Sequence, residues 1–154
     1  MNADFINPFI AALLNVMQTM AQTELVPGKP KKKSDNLASG EISGVIGMVG
    51  DSIQGSMSIS FEKGLVLEIM NKMLGEKPES IDSDVQDMVG EITNMICGGA
   101  KNELGQKGYD FGMATPVVVS GTNHTIKHQV DGKKMEMPFS HESGMLYLEM
   151  CFNK

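Results

Sequence analysis

The sequence predicts an α/β protein of the α+β kind, a mostly antiparallel sheet packed against helices, and three patterns predict it. Segments near residues 7–22, 65–74 and 80–108 repeat apolar residues at three- and four-residue steps, the spacing of one helix face. Residues 41–61 and the last third of the chain read as strands. Tight-turn signals separate those strands: Gly50 with Asp51, Asp131 with Gly132, and Ser140 to Gly144. With 154 residues, 41% of them hydrophobic, the chain can bury one good core, and residues 1–154 are read as a single domain.

Taken in order, Met1 to Gln22 is apolar but does not read as a signal peptide. Asp4 stands where a basic segment is needed, Asn15 and Gln18 interrupt the run, and nothing in the chain reads as membrane-spanning. Asn7 and Pro8 form a cap and first-turn pair, followed by a stripe of Phe9, Ile10, Leu13, Leu14, Met17 and Met20. Residues 23–39 are polar, and the basic run Lys29 to Lys33 is read as a solvated loop or edge strand whose lysines block aggregation; an anionic docking surface is the alternative. Glu41 to Val49 and Ser52 to Phe61 form a hairpin. In its second strand serine or glutamine alternates with Ile53, Gly55, Met57, Ile59 and Phe61, so one side faces the core. Gly44, Gly47 and Gly50 do not make a phosphate loop, because no lysine follows in the required position and a strand comes next.

Leu65 to Leu74 is a helix with Val66, Ile69, Met70 and Met73 inward, ended by Gly75 and Pro78. The methionines read as adaptable core filler. Met113 to Ser120 is a buried strand entered through Pro116, and Met145 to Phe152 is the terminal strand. His124, His128 and His141 have no carboxylate or cysteine at ligand spacing, so no metal site is assigned. Cys97 and Cys151, among apolar neighbours, read as buried thiols of a reduced, cytoplasmic protein. A net charge of −6 and a pI near 5 argue against nucleic acid as the main partner, since phosphate backbones are held by clustered cations. A protein or a small molecule fits better.

The chemistry lies on the longest helical pattern, Ser80 to Gly108. Val85, Met88, Val89, Ile92, Met95, Ile96, Ala100 and Leu104 make its core stripe. Ser83 and Gln86 have capping-box spacing and Asp82, Asp84 and Asp87 suit the helix dipole, so the helix is expected to start at about Ser83. Asp87, Glu91 and Asn94 then fall within an arc of about 60° opposite that stripe and point at solvent together. Gly98 follows one turn below Asn94, with Gly90 and Gly99 flanking, although glycine inside a helix costs about 1 kcal/mol relative to alanine. Either another backbone packs closely on the helix, or side chains are cleared so that a partner can reach Glu91 and Asn94. A carboxylate can anchor a cation, and a carboxamide one turn away can donate and accept at a water or phosphoryl oxygen. An ordinary solvated face has the same periodicity.

Asp87, then Glu91 after three intervening residues, Asn94 after two more and Pro116 after another twenty-one reproduce the D/S xxx E xx N x21 P signature of the CheC/CheX/FliY phosphatases of bacterial chemotaxis. The sequence resembles the CheX branch most, in its length, its single complete signature and its opening NPFIAALLNVM. The resemblance implies a CheC-like fold and an enzyme that accelerates hydrolysis of the aspartyl phosphate on a CheY-type response regulator. Asn94 would orient the attacking water and Glu91 would dock on a regulator lysine, with Asp87, Gly98 and Lys101 assigned to partner contact and Pro116 shaping the chain beside the helix. It also implies a homodimer joined through sheet edges and no cofactor of its own, the Mg2+ ion belonging to the regulator. Ala12 to Met17, AxxNVM, echoes Glu91 to Ile96, ExxNMI, as in a family built from two related halves; Ala12 replaces the glutamate, so Asn15 is read as structural. The alternative is a non-catalytic binding module, related to flagellar switch components, that uses the same surface.

Overall fold

The computed structural model describes residues 3–51, 53–128 and 132–153. In chain order its elements are α1 (Ala3–Ala21), β1 (Val26–Pro27), β2 (Lys31–Lys33), β3 (Ile42–Val49), β4 (Gln54–Phe61), α2 (Lys63–Leu74), α3 (Ser83–Gln106), β5 (Gly112–Met113), β6 (Val117–Ser120), β7 (Lys133–His141) and β8 (Gly144–Asn153). The strands form one antiparallel sheet in the order β1-β7-β8-β4-β3-β5, with β2 also on β7 and β6 also on β3. The α+β architecture expected from the sequence is therefore the one observed.

The three helices cover one face of the sheet. Their apolar stripes meet Ile46 of β3, Met57 and Ile59 of β4 and Leu148 and Met150 of β8 in one core cluster. Each large side chain withdrawn from water there contributes about 1.5–3 kcal/mol. Helix α2 ends as expected, with Gly75 left-handed at φ 76° and its N–H on the Asn71 carbonyl. Among the described residues no helix is long and apolar enough to cross a membrane.

Several expectations are corrected. Helix α1 begins before Asn7 and carries Pro8 inside it. Proline forfeits one ladder hydrogen bond near the helix start, which is offset because Phe5 and Ile6 are buried and the Phe5 ring packs edge-on to Phe152 at 4.5 Å and to Tyr109 at 5.5 Å. The segment 113–120 is not a buried strand. It is two short edge pieces, with Val117 60% exposed, because among the described residues nothing pairs beyond it. The Asp131 turn and the Ser52 strand start lie outside the described residues.

The outer face of the sheet is the largest departure. Ser56, Ser58 and Ser60 of β4 are buried although they point away from the helices, as are Ser43, Glu136 and Glu149. Residues 34–39 and 121–128 cross this face and hold each other: Ala38 N–H donates to the His124 carbonyl at 2.8 Å, Ile126 N–H to the Asn36 carbonyl at 2.7 Å, and Leu37 bridges Thr125. Lys29, Lys31 and Lys32 are exposed as expected of an edge. Lys33 is not: its side chain is 8% exposed and pairs with Glu149 at 2.8 Å and Glu136 at 3.1 Å. Burial pulls the Lys33 ammonium down, and the hydrogen bonds and charges of Glu149 and Glu136 outweigh it, leaving it above the usual lysine range. Burial pushes the Glu149 carboxyl up, and the bonds from His128 at 2.8 Å and from Lys33 outweigh it, leaving it below the usual carboxylate range.

Candidate functional site

Helix α3 is seated on the sheet by a missing side chain. A Cβ on Gly44 of β3 would stand 1.9 Å from Thr93 Oγ1 and 2.9 Å from Thr93 Cβ, so only glycine lets the helix come this close. The buried Thr93 hydroxyl has no room to reach elsewhere and donates to the Val89 carbonyl one turn back at 2.7 Å. The helix starts where the sequence says, but its cap is Asp82, whose side chain accepts from the Val85 N–H at 3.0 Å. Ser83 is thus the first helical residue, and the expected Ser83–Gln86 capping box is not formed, because the residue before it already occupies the cap.

With Thr93 and Ile92 fixed inward, the opposite side of the helix faces out. Asp87, Glu91 and Asn94 are all exposed. Their spacing of four and then three residues makes them neighbours on one face, with Cβ atoms about 5–6 Å apart. Among the described residues none of their side chains has a hydrogen-bond or ion-pair partner. They are the helical wall of a groove of about 620 Å³, with Gln86 beside them and Gly90 and Val118 at its floor; the facing wall is Met113 to Pro116. The signature residues Asp87, Glu91, Asn94 and Pro116, separated along the chain, therefore line one site.

The other assigned residues divide. Gly98 and Lys101 lie further along α3, outside that groove. Among the described residues a Cβ on Gly98 would meet nothing within 4 Å, so its bareness serves no contact with them. On Gly99 it would meet Ala12 of α1 at 3.3 Å, and on Gly90 it would meet Val118 at 3.4 Å. Close packing thus accounts for Gly99, whereas at Gly90 an added methyl would meet Val118 at an ordinary contact distance. Lys101 is half-buried with its ammonium 6.0 Å from the Phe111 ring centre, within cation–π range. Cys97 and Cys151 are buried thiols. Burial pushes Cys97 up to about 12, against the pull of Lys101, so it is no nucleophile. Asn15 is exposed, and its carbonyl accepts from the Thr19 hydroxyl at 2.8 Å.

Sequence reasoning missed the shape of the facing wall. Strand β5 pairs Met48 with Met113 and β6 pairs Val45 with Val117, so the two residues Ile46 and Gly47 oppose the three residues Ala114, Thr115 and Pro116. This is a β-bulge, the device by which an edge strand bends and re-aims its side chains. Pro116 was the signal for it, since a residue without an N–H sits poorly in a ladder. The histidines have partners that spacing along the sequence does not reveal. His128 does meet a carboxylate, Glu149, from 21 residues away, and contacts Ser56; His124 Nε2 lies 2.7 Å from Ser43 Oγ. Among the described residues no group of three or more His, Cys, Asp or Glu side chains is arranged to hold a metal ion.

An exposed acid and amide side by side can hold a cation and a water. Comparison with known proteins places this groove in a family. Residues 42–140 match the family described as chemotaxis phosphatase CheX. The crystal structure of a CheC-like superfamily protein from Shewanella sp. PV-4 is 65% identical, covers all of both chains and superposes with a TM-score of 0.95. The CheY-P phosphatase CheX of Thermotoga maritima is 28% identical over 97% of each chain. A CheX–CheY–BeF3–Mg2+ complex from Borrelia burgdorferi contains a chain 26% identical, covering 99% of this chain and 100% of that one, with a TM-score of 0.81. The fold is thus a shared one, and the chain belongs to the chemotaxis phosphatase CheX family.

Proposed function

We propose that this protein accelerates hydrolysis of the aspartyl phosphate on a CheY-type response regulator, with Asn94 orienting the attacking water and Glu91 docking on a lysine of the regulator. The observation that carries this reading is the joint exposure of Asp87, Glu91 and Asn94, without partners among the described residues, on one wall of a groove shared with Pro116. The family membership and the Thermotoga relative's name give the reaction, and the Borrelia complex gives the partner, with Mg2+ and a phosphoryl mimic alongside it.

A regulator of this type holds its phosphoryl group and metal ion in a crevice at the carboxyl ends of its strands. What hydrolysis lacks there is a water in line with the scissile bond, and phosphoryl transfer is limited chiefly by positioning and charge stabilisation. A carboxamide can accept from the water and donate to a phosphoryl oxygen at once. Glu91, one turn earlier, fixes depth and angle through its ion pair, and neither residue needs to form a covalent bond. Asp87, Gly98 and Lys101 extend the contact along α3, and Asp87 also suits the helix dipole.

The active form is a homodimer joined through sheet edges. Phosphate release from a phosphorylated regulator, followed with and without this chain, tests the reaction: a phosphatase shortens the half-life of the phosphorylated form. A pure binding module leaves it unchanged or lengthens it, and that result would refute the proposal.

A further inference from the structure

We infer that the bulge facing α3 is a second recognition element for the regulator, in which Thr115 offers its backbone N–H and its hydroxyl to an extended loop beside the regulator's phosphorylation crevice. This rests on the reading of the groove given above.

Three features of the bulge point to it. The extra residue between β5 and β6 breaks the pairing of the edge with β3, and of the three bulge residues Ala114 alone is tied back, its N–H on the Gly47 carbonyl at 2.9 Å. Thr115 is exposed, and neither its backbone nor its hydroxyl has a hydrogen-bond partner among the described residues. Pro116 follows it, and a residue before proline is held in the extended region, so Thr115 keeps strand-like geometry without a strand to pair with. Unpaired extended backbone at a sheet edge is the template on which extended peptides add.

The position of this template gives it a role. Thr115 forms the wall across the groove from Glu91 and Asn94, with Gly90 and Val118 between them. The helical wall is acidic and attracts a cation; the bulge wall is neutral and offers directional donors and an acceptor. A loop held at both walls is fixed in rotation as well as in depth, which a single ion pair cannot do. Pro116 then acts through its neighbour, by keeping Thr115 extended and by removing an N–H that would otherwise compete.

The test uses the full chain with a regulator loaded with beryllofluoride and Mg2+, together with steady-state hydrolysis of the phosphorylated regulator. Hydrogen exchange at the Thr115 amide slows at least tenfold on complex formation. Thr115→Pro, which removes the N–H, raises KM for the phosphorylated regulator fivefold or more while kcat falls no more than twofold, and Thr115→Val, which removes only the hydroxyl, raises KM two- to threefold. If Thr115→Pro does not fold, exchange and Thr115→Val decide. An amide that exchanges equally fast in the complex, or a wild-type KM in Thr115→Val, overturns the inference. Asn94→Ala run in parallel separates the two levels: loss of acceleration in Asn94→Ala with unaltered Thr115 behaviour removes the bulge contact and leaves the proposed reaction standing. A wild-type chain that protects Thr115 but does not shorten the half-life removes the reaction and leaves the contact.

Discussion

Glu91 and Gly98 stand on the same exposed side of α3 but invite opposite tests. Glu91 has no partner among the described residues, so Glu91→Lys leaves stability within about 0.5 kcal/mol of wild type. It reverses the charge offered to the regulator, and the regulator concentration giving half-maximal rate is expected to rise at least tenfold in a phosphate-release titration. Gly98→Ala adds a methyl that meets nothing among the described residues and removes a helix-propensity penalty, so it should raise stability by about 0.5–1 kcal/mol in urea unfolding. If α3 is the docking ridge, the same change weakens regulator binding; a variant both more stable and equally tight-binding would take Gly98 out of the contact. The three helix glycines were indistinguishable in the sequence. Periodicity reports which way a side chain points, and only the tertiary fold shows that Ala12 stands tightly against Gly99 while, among the described residues, nothing stands against Gly98.

Among the elements, α3 was readable from end to end because its information is local: an acidic first turn, an apolar stripe and a polar arc on one stretch of chain. Its seating was not, since it depends on Gly44, some fifty residues earlier, meeting Thr93. Gly44→Ala forces a methyl into the Thr93 side chain, and overpacking of this kind costs about 1–3 kcal/mol. The expected outcome is a lower unfolding midpoint together with reduced phosphatase activity, because α3 must shift to make room; a variant with unchanged stability would contradict the close seating. The cap is a separate local test. Asp82→Ala should cost about 0.5–2 kcal/mol, whereas Ser83→Ala should cost little, since Asp82 alone takes the Val85 N–H. The bulge at Ala114–Pro116 and the early start of α1 were hidden for the same reason as Gly44. Each is set by distant pairing, the first with β3 and the second by the rings of Tyr109 and Phe152.

For the molecule as a whole, the helix-side core is visible in the sequence as apolar spacing, whereas the polar layer on the other face is not, because Lys33 meets Glu136 and Glu149 from 103 and 116 residues away. That layer sets the pH dependence of stability. Glu149 is held below the usual carboxylate range, so its contribution is complete above pH 4.5 and is lost as pH falls through its lower folded value. Lys33 is held above the usual lysine range, so its contribution is complete below pH 10.5 and is lost as pH rises through its higher folded value. Lys33→Met leaves two buried carboxylates short of a cation and should cost about 3 kcal/mol at neutral pH; in urea unfolding across pH, its deficit should shrink on the acid side. The polar layer lies across the sheet from the groove, so these effects belong to stability and leave the chemistry of α3 to be tested separately. The most direct test is the rate of phosphate loss from a phosphorylated regulator at saturating concentrations of wild type and of Asn94→Ala, each confirmed folded by its unfolding midpoint. The expected result is that Asn94→Ala still binds the regulator but returns it to its unassisted rate; an Asn94→Ala chain that accelerates hydrolysis as well as wild type would contradict the account.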